Sequence, residues 1–558
     1  MLRNTSVCHI CNQIDLPQAI ARPELWHRIL FIRRQRSCPW CNQITELLRT
    51  SFGDTETGNI PEEFTLHHKY LSHPALTNYV AAVIALRSED DDNALWRYLL
   101  PVQARFVNHK SSKHTYLPCS RTIDCSSVDY GMFNECIKLC QSEHATMCGS
   151  SVSREFIPTR LIDCKTRVLC AAPDFQYTCL SYVWGDTSTE NTASDYQVLT
   201  NIPQTVLDAM FVTLELGMRY LWVDRYCIDQ DNPEEKHNTI RNMDSIYRNA
   251  FVTIIAAAGS SSDYGLPGVS RPRKASPSVN IGSDTFVAVG DPSTDLETSV
   301  WNMRGWTYQE MVLSRRRLIF TDRQVYFQCR AHQTMEQLAR TFESTNLIKL
   351  ITDNKQFLPI QKESFTIDDF YLRIQEYYPR TLRYETDNIN AFDGVFREFS
   401  DCRSNSEVRH RGSAPRLYMA RRNPHFYGIP LWLQELEVSG DPETSAWSQS
   451  PKASDADDVS QHFGLNLGWK VGRRTVDFSS THSGVLAKST FPSWSWASTK
   501  DWNDRHGRRQ MSFSGRPDVN KKTQDAKFIA SVTHRSGQQM SMLNYTAQTD
   551  DHTFFHPW

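Results

Sequence analysis

The feature that most constrains the fold is an alternation of strand-like and helix-like segments between residues 177 and 257. Apolar, β-prone runs occur at Tyr177–Val183, Tyr220–Val223 and Phe251–Ala257. Two segments with helical spacing separate them and begin at Pro203 and Asn232, where Asn can cap a helix and the Pro that follows it fits the first turn. This order predicts a parallel sheet with helices packed against it.

Each helical segment has an apolar face that we expect to pack on the sheet. Its residues recur every three or four positions, which is the spacing along one side of an α-helix. The predicted buried residues are Val206, Leu207, Met210, Phe211 and Leu214 in the first helix and Ile240, Met243, Tyr247 and Ala250 in the second. Gly217 is predicted to end the first helix. Further on, Arg317–Phe320 and Gln324–Cys329 are predicted to form a hairpin.

Polar residues follow the first two predicted strands. Trp184, Gly185 and Asp186 come after the first strand, and Asp224 comes after the second. In parallel sheets, ligands bind outside the carboxyl ends of the strands, so these residues are candidates for a binding site. The chain has no Gly-rich phosphate loop and no Gly-x-Ser-x-Gly elbow, which argues against an ATPase, an ordinary dehydrogenase or a serine hydrolase.

The length of 558 residues is too great for one hydrophobic core, so several domains are expected. Linker-like stretches at Ser270–Asp284, Asp401–Pro415 and Val438–Gln461 are poor in apolar residues. We therefore predict a small Cys-rich, mostly helical N-terminal module at 1–150 and a central α/β domain at 151–335. An α+β C-terminal region at 336–558 follows, with a disordered loop near 438–461.

The N-terminal module carries two Cys-x-x-Cys pairs, Cys8 with Cys11 and Cys38 with Cys41, and 26 residues separate the pairs. Four thiolates suit a tetrahedral structural zinc site, which leaves no open position for catalysis. The spacer is longer than the usual ribbon pattern of about 15–20 residues. The alternative is that these are reduced cysteines that only pack near each other.

Neither a membrane span nor a nucleic-acid surface is predicted. Met1–Leu16 lacks the apolar stretch of a signal peptide, and no apolar run reaches the roughly 18 residues that a transmembrane helix needs. The formal net charge of −2 provides no bulk attraction to nucleic acid. Arginines between the two cysteine pairs are interspersed with apolar residues, which favours an amphipathic helix over a zinc-dependent DNA-binding surface. We expect a cytoplasmic protein.

Several short motifs resemble those of the heterokaryon-incompatibility (HET) family, and they occur in the family's order. They include strand ends, a helix face and two turns. The matching stretches are Tyr177–Gly185, Leu221–Gln230, the helix through Met243, Tyr247 and Ala250, Gly265–Gly268, Arg304–Glu310 and Leu318–Asp322. One departure is Arg225-Tyr226, where the family more often has small or apolar residues.

The resemblance implies a role in fungal nonself recognition, in which fusion of unlike cells triggers regulated cell death. The HET domain is regarded as the death-inducing part and is thought to be distantly similar to TIR domains, some of which hydrolyse NAD with a glutamate in a Trp-x-x-x-Glu segment. Trp306 and Glu310 have that spacing. The resemblance therefore implies a TIR/flavodoxin-like sheet, NAD as a consumed substrate and Glu310 as the catalytic carboxylate.

The candidate substrate-binding residues in this interpretation are Trp184, Gly185, Asp186, Asp224, Arg304 and Trp306. A carboxylate near the ribose would stabilise the oxocarbenium-like state that forms when the nicotinamide–ribose bond breaks. The alternative for Glu310 is a carboxylate paired with Arg304 or Arg315. The tryptophans could stack on a base or belong to the core.

Asp224 has two interpretations as well: hydrogen bonding to ribose hydroxyls, or capping and ion pairing with Arg225 or Arg241. At the level of the whole protein, two hypotheses follow. The first is an NAD-cleaving effector enzyme that binds a small nucleotide. The second is a non-enzymatic signalling module that assembles with itself or with partners.

Overall fold

The computed structural model describes residues 120–401 and, outside this range, short strands between 64 and 117 and between 417 and 541. Within 120–401 the described residues exclude 150–155, 173–175, 186–197, 277, 282–283, 290–291, 339–347, 350, 353–354, 361–366 and 385–386. The predicted loop near 438–461 lies outside the described residues. None of the helices that the structure describes has the length and apolar character of a transmembrane span.

The described strands and helices are numbered here in chain order. The strands are β1 (Phe64–Leu71), β2 (Tyr79–Ser88), β3 (Arg97–Pro101), β4 (Arg105–Val107), β5 (His114–Leu117), β6 (Arg160–Asp163), β7 (Val168–Ala171), β8 (Tyr177–Ser181), β9 (Tyr220–Trp222), β10 (Thr253–Ala256), β11 (Ser278–Ile281), β12 (Asp284–Val289), β13 (Arg316–Phe320), β14 (Val325–Cys329), β15 (Gln333–Met335), β16 (Leu417–Met419), β17 (His425–Phe426), β18 (Ile429–Pro430), β19 (Trp432–Gln434), β20 (Ser531–Thr533) and β21 (Gln539–Ser541). The helices are α1 (Tyr130–Glu143), α2 (Ala145–Cys148), α3 (Gln204–Glu215), α4 (Asp224–Cys227), α5 (Pro233–Arg241), α6 (Met243–Asn249), α7 (Pro292–Glu297), α8 (Thr307–Leu313), α9 (Ile367–Tyr377) and α10 (Asn390–Asp401).

The central sheet has eight strands in the order β15-β14-β13-β10-β8-β9-β6-β7. Its middle is parallel, because β8 pairs in parallel with both β9 and β10, and β10 pairs in parallel with β13. Every residue of β8, β10 and β13 is buried, as expected for strands covered on both faces. The predicted parallel sheet is confirmed here, and so is the β13–β14 hairpin. Antiparallel strands at both edges make the whole sheet mixed.

Both predicted helical segments form, but their buried faces differ from the prediction. In α3, Phe211 is 48% exposed and Leu207 and Leu214 are only partly buried, while Asp208 is buried. The buried face is therefore rotated around the helix axis relative to the prediction. Asp208 can occupy a core position because its carboxylate has hydrogen-bond partners inside the fold. Gly217 follows the helix with a φ of +74°, as predicted.

The second predicted helix is divided into α5 and α6 at Asn242. Its start is as expected, because the Asn232 side chain accepts the backbone N–H of Glu235 at 3.1 Å. Met243, Tyr247 and Ala250 are buried as predicted, whereas Ile240 is only partly buried and Thr239 takes the buried position.

A second sheet of seven strands has the order β11-β12-β3-β2-β5-β4, and its seventh strand, β1, pairs antiparallel with β2. The described part of 1–150 contains the five strands β1–β5 as well as α1 and α2. The Cys-rich, mostly helical module at 1–150 stays a prediction. The predicted linker Ser270–Asp284 contains β11, which forms a hairpin with β12. Neither β3 nor β12 was predicted from the sequence. The two strands pair with each other although nearly two hundred residues separate them in the chain, and local sequence patterns do not show such a pairing.

By its internal contacts the chain divides into two compact units. The first comprises Met1–Lys236, Asn249–Asn302 and Ser314–Ile360, and it contains both large sheets; the second comprises His237–Arg248, Met303–Leu313 and Gln361–Trp558. The core of the second unit is aromatic. Tyr308 of α8 stacks on Phe392 of α10 at a ring-centroid distance of 5.9 Å, and Phe370 of α9 packs edge-on against Phe392 and Phe399.

Candidate functional site

The carboxyl ends of β8 and β9 bring two predicted site residues together. The Trp184 indole N–H donates to both carboxylate oxygens of Asp224, at 2.9 Å and 3.1 Å. Asp224 also accepts the backbone N–H of Arg225 at 2.7 Å, and the Arg225 guanidinium lies 5.9 Å from the Trp184 ring centroid. Both Trp184 and Asp224 are half-buried, so each side chain keeps an accessible part. An indole, a carboxylate and a guanidinium therefore meet at this edge.

Gly185 lets the loop after β8 lie close to the loop after β10. Its φ is +76°, and a Cβ added there would be 2.9 Å from the Cβ of Ser261. The backbone N–H of Ser262 donates to the carbonyl of Trp184 at 3.4 Å. A side chain at position 185 would separate these loops, which is the physical reason for a glycine here. The third predicted residue of this loop, Asp186, lies outside the described residues.

The turn Gly265–Gly268 is fastened by Asp208 of α3. The Asp208 carboxylate accepts the backbone N–H of Leu266 at 2.6 Å and the hydroxyl of Ser270 at 2.5 Å. The hydroxyl of Thr205, one turn earlier in the helix, accepts the backbone N–H of Gly265 at 3.0 Å. This motif therefore has a structural role. Asp208 was missed by sequence reasoning, although a carboxylate within a mostly apolar helix was the signal that could have found it.

Asp322, at the carboxyl end of β13, is a further carboxylate on this edge of the sheet. It accepts the phenol of Tyr264 at 2.7 Å and pairs with Lys274 at 3.0 Å. Burial acts to raise the pKa of Asp322, but the hydrogen bonds from Tyr264 and Lys274 outweigh it and hold the pKa below its ordinary value. Asp322 is therefore a stabilised anion.

Arg304, Trp306 and Glu310 belong to the second unit, where α8 begins. All seven residues of α8 are buried, and Glu310 is 5% exposed. The indole of Trp306 hydrogen-bonds to Asp387, whose pKa is nevertheless raised by burial. Trp306 thus has a polar partner within this unit.

Arg380 is the cation that sequence reasoning missed beside α8. Its guanidinium donates to the carbonyl of Arg304 and to the hydroxyl of Thr307, both at 3.3 Å, and lies 4.8 Å from the Tyr308 ring centroid. Burial lowers the pKa of Arg380 to about 10, and nearby anionic groups that include Glu310 oppose this shift. No local sequence pattern marks this arginine as a neighbour of α8. Arg315, proposed as an alternative partner of Glu310, donates to the carbonyls of Asn249 and Ala250.

A cavity of about 440 Å³ lies elsewhere in the first unit, lined among others by Asp129, Tyr130, Phe211 and Gly268. Neither Trp184 nor Asp224 lines it. The edge at Trp184 and Asp224 is thus distinct from this cavity.

A group of metal-ligating side chains occurs where the sequence did not predict one. Cys140, His144 and Cys329 place one ligand atom each within 4.8 Å of one another, so this group could hold a metal ion. The cysteines predicted to bind zinc, Cys8, Cys11, Cys38 and Cys41, lie outside the described residues, and their role stays a prediction. The new group was missed because Cys329 is far from the other two residues in the chain.

Comparison with known proteins identifies the central region. Residues 177–310 match the model of a family described as heterokaryon incompatibility protein (HET). No curated protein and no solved structure is significantly similar to the chain. The matched region begins at β8 and ends at Glu310, so it includes the Trp184–Asp224 pair and the Gly265–Gly268 turn. The similarity to TIR domains stays a prediction. The resemblance seen in the sequence motifs is therefore confirmed over residues 177–310, which match the heterokaryon incompatibility (HET) family model.

Proposed function

We propose that this chain acts in heterokaryon incompatibility, as a trigger of regulated cell death during fungal nonself recognition. The observation that supports this proposal is the HET-family match over 177–310, whose motif residues Trp184 and Asp224 meet at the carboxyl edge of the sheet. Ligands of open α/β sheets bind at this kind of edge. Trp184, Gly185, Asp186 and Asp224 are the proposed contacts of a small nucleotide.

The proposed mechanism is hydrolysis of NAD, with Glu310 as the catalytic carboxylate. The bond between nicotinamide and ribose breaks, its electron pair neutralises the pyridinium nitrogen, and water adds to the ribose carbon and releases a proton. A carboxylate stabilises the positive charge that develops on the ribose. In the second unit, Arg304 and Trp306 are the proposed substrate contacts beside Glu310. The TIR-like similarity and the Trp-x-x-x-Glu spacing motivate this proposal.

A second candidate function is favoured by the burial of Glu310. At 5% exposure, this side chain lies in a helix whose residues are all buried, and Arg380 supplies a nearby positive charge. A glutamate in such surroundings fits a structural role. In this alternative the HET domain signals without catalysis, by assembling with itself or with partners, and other proteins cause death.

The two functions are separated by expressing the full chain from a regulated promoter in fungal cells and measuring viability and cellular NAD together. The test variant is Glu310→Gln, which keeps the side-chain volume and removes the charge. The matched control is Glu376→Gln, because Glu376 is also in the second unit and its charge also acts on Arg380. We expect the wild type and Glu376→Gln to lower both NAD and viability, and Glu310→Gln to lower neither.

Each outcome decides a different point. Death with unchanged NAD, equal for all three chains, would replace hydrolysis by the assembly function, and sedimentation of the purified protein would then show self-association. Unchanged viability on expression of the wild-type chain, at protein levels that blotting confirms, would contradict the role in cell death itself. Nicotinamide release by the purified wild type provides the direct chemical check.

A further inference from the structure

Three cysteines and a histidine come together at the end of α1, in α2 and at the end of β14, all in the first unit. Cys140 and His144 are four positions apart, so they lie on the same side of the chain as α1 ends. Cys148 is in α2, and Cys329 is the last residue of β14. The three cysteines are at most 1% exposed. This set is called the thiol cluster below.

Three ligand atoms of the thiol cluster lie close together, because Cys140, His144 and Cys329 each place one within 4.8 Å of the other two. The ring nitrogen Nδ1 of His144 is 3.5 Å from the Sγ of Cys329. Cys148 lies beside these residues, because Arg316 donates both to the sulfur of Cys140 and to the backbone carbonyl of Cys148, at 3.2 Å each. In a tetrahedral zinc site with Zn–S bonds of about 2.3 Å, neighbouring ligand atoms are separated by about 3.8 Å. The ligand atoms of Cys140, His144 and Cys329 are therefore close to the spacing of a zinc coordination shell, with Cys148 next to them as the proposed fourth ligand.

Two of the sulfurs also accept a hydrogen bond from outside the cluster. The Nε of Arg316 donates to Cys140 at 3.2 Å, and the backbone N–H of His332 donates to Cys329 at 3.2 Å. Donors that point at sulfur stabilise thiolates and orient metal ligands. These two donors therefore suit cysteines that bind a metal ion as thiolates.

The charges balance if zinc is bound. Three thiolates, a neutral imidazole and Zn²⁺ carry a net charge of −1, and the buried guanidinium of Arg316 supplies a compensating +1. Binding would release one proton from each of the three thiols. Arg316 also donates to the carbonyl of Cys148 at 3.2 Å, which fixes α2 to the same centre.

We propose that a structural Zn²⁺ ion is bound by Cys140, Cys148, Cys329 and His144. The ion fastens α1 and α2 to the C-terminal end of β14. With four protein ligands the ion has no open position, so it stabilises the fold and does not take part in catalysis. This inference is independent of the proposed function and of the predicted site at Cys8, Cys11, Cys38 and Cys41.

The test is the zinc content per chain of full-length protein purified without chelators, measured by inductively coupled plasma mass spectrometry. All variants are made in a background where Cys8, Cys11, Cys38 and Cys41 are replaced by Ser, so that only the new site is counted. We expect one zinc per chain in this background and a loss of at least tenfold in Cys329→Ala. Cys227→Ala is the matched control, because Cys227 is also 1% exposed and lies outside the cluster; it should retain the zinc.

Further variants and cobalt substitution distinguish loss of a zinc ligand from loss of zinc through misfolding. Cys329→His retains a ligand and is expected to keep most of the zinc, and His144→Ala is expected to lose it while His332→Ala does not. Cobalt substituted into the background protein should give a thiolate-to-cobalt charge-transfer band. This measurement leaves all four cluster residues unchanged, so misfolding of a cluster variant does not affect it. The proposal is overturned if the background protein holds no zinc, if Cys329→Ala keeps as much as Cys227→Ala, or if mass spectrometry finds a disulfide among the three cysteines.

Discussion

Asp208 determines how α3 and the Gly265–Gly268 turn fit together. It is 3% exposed, and its carboxylate accepts the backbone N–H of Leu266, the hydroxyl of Ser270 and the side-chain amide of Gln204. Hydrogen bonds to a buried charged acceptor are stronger than neutral ones, and a backbone N–H that loses its partner bears the full desolvation cost. One side chain therefore holds the Gly265–Gly268 turn against α3.

We expect Asp208→Ala to lower the free energy of unfolding by about 2–3 kcal/mol, because it leaves the Leu266 N–H unpaired in the interior. Urea denaturation followed by tryptophan fluorescence measures the change. Asp263→Ala is the control, since Asp263 is exposed in the same loop region and should change the free energy by less than about 0.5 kcal/mol. Equal effects of the two substitutions would contradict the role of Asp208.

At the residue scale, the sequence predicts which residues lie at the strand ends better than it predicts what they contact. Trp184 and Asp224 were expected at neighbouring strand ends, and their hydrogen bond agrees with that placement. Glu310 was predicted as the catalytic carboxylate, with pairing to Arg304 or Arg315 as the alternative; the structure adds Arg380, seventy positions later in the chain, as a cation whose pKa Glu310 influences. Local patterns reveal strand ends, whereas the partner of a buried charge depends on tertiary packing.

Elements were predictable where one short segment determines them. The apolar runs of β8, β9 and β10 specified buried strands, and Asn232 with Pro233 specified a helix start. The strands β6 and β7, the last two at one end of the central sheet, were not predicted. Each is only four residues long, which is too short for its apolar residues to indicate a strand on their own. The pairing of β6 with β9 is what makes this segment a strand. The buried face of α3 was partly wrong because hydrophobic periodicity cannot show that Asp208 is satisfied inside.

Two glycines at the ends of elements allow a matched experiment. Gly185 after β8 and Gly217 after α3 have almost the same φ, +76° and +74°. A Cβ at Gly217 would meet nothing within 4 Å, whereas one at Gly185 would press against Ser261. Gly217→Ala therefore measures the cost of the left-handed backbone alone, about 1–2 kcal/mol. Gly185→Ala adds a steric cost to it.

We expect Gly185→Ala to lower the free energy of unfolding by about 1–2 kcal/mol more than Gly217→Ala does. Both variants are compared with the wild type by the same fluorescence measurement. Identical losses would mean that the loops after β8 and β10 separate without cost, and the close approach at Gly185 would then have no energetic importance.

At the scale of the whole molecule, the first unit is held by contacts between distant parts of the chain. Arg273 and Glu336 form a buried ion pair whose side chains are 0% and 2% exposed. Arg273 also donates to the carbonyls of Asp124 and Ser127, and Glu336 accepts the backbone N–H of Asp129 at 3.2 Å. This network joins the segment before α1, the loop after β10 and the residues after β15.

Removing one partner of this pair leaves a buried charge without compensation, which typically costs about 3–5 kcal/mol. We expect the single variants Arg273→Met and Glu336→Leu each to lower the free energy of unfolding, measured by urea denaturation, by a corresponding amount. The double variant Arg273→Met with Glu336→Leu should lose less, because it removes both charges and keeps apolar volume. If the double variant is as unstable as the sum of the two single variants, the two side chains do not act as a pair.

The pairing of β3 with β12 has a consequence for synthesis of the protein. β3 ends at Pro101, and its partner strand begins at Asp284, so the bonding edge of β3 is complete only after about 180 further residues have been made. At translation rates of about 5–20 residues per second, this takes about 10–40 s. During that time β3 has an unpaired edge on the ribosome-bound chain, which exposes it to pairing with other strands. Chaperone protection of the nascent chain over this interval would therefore determine how much of the protein reaches its native sheet.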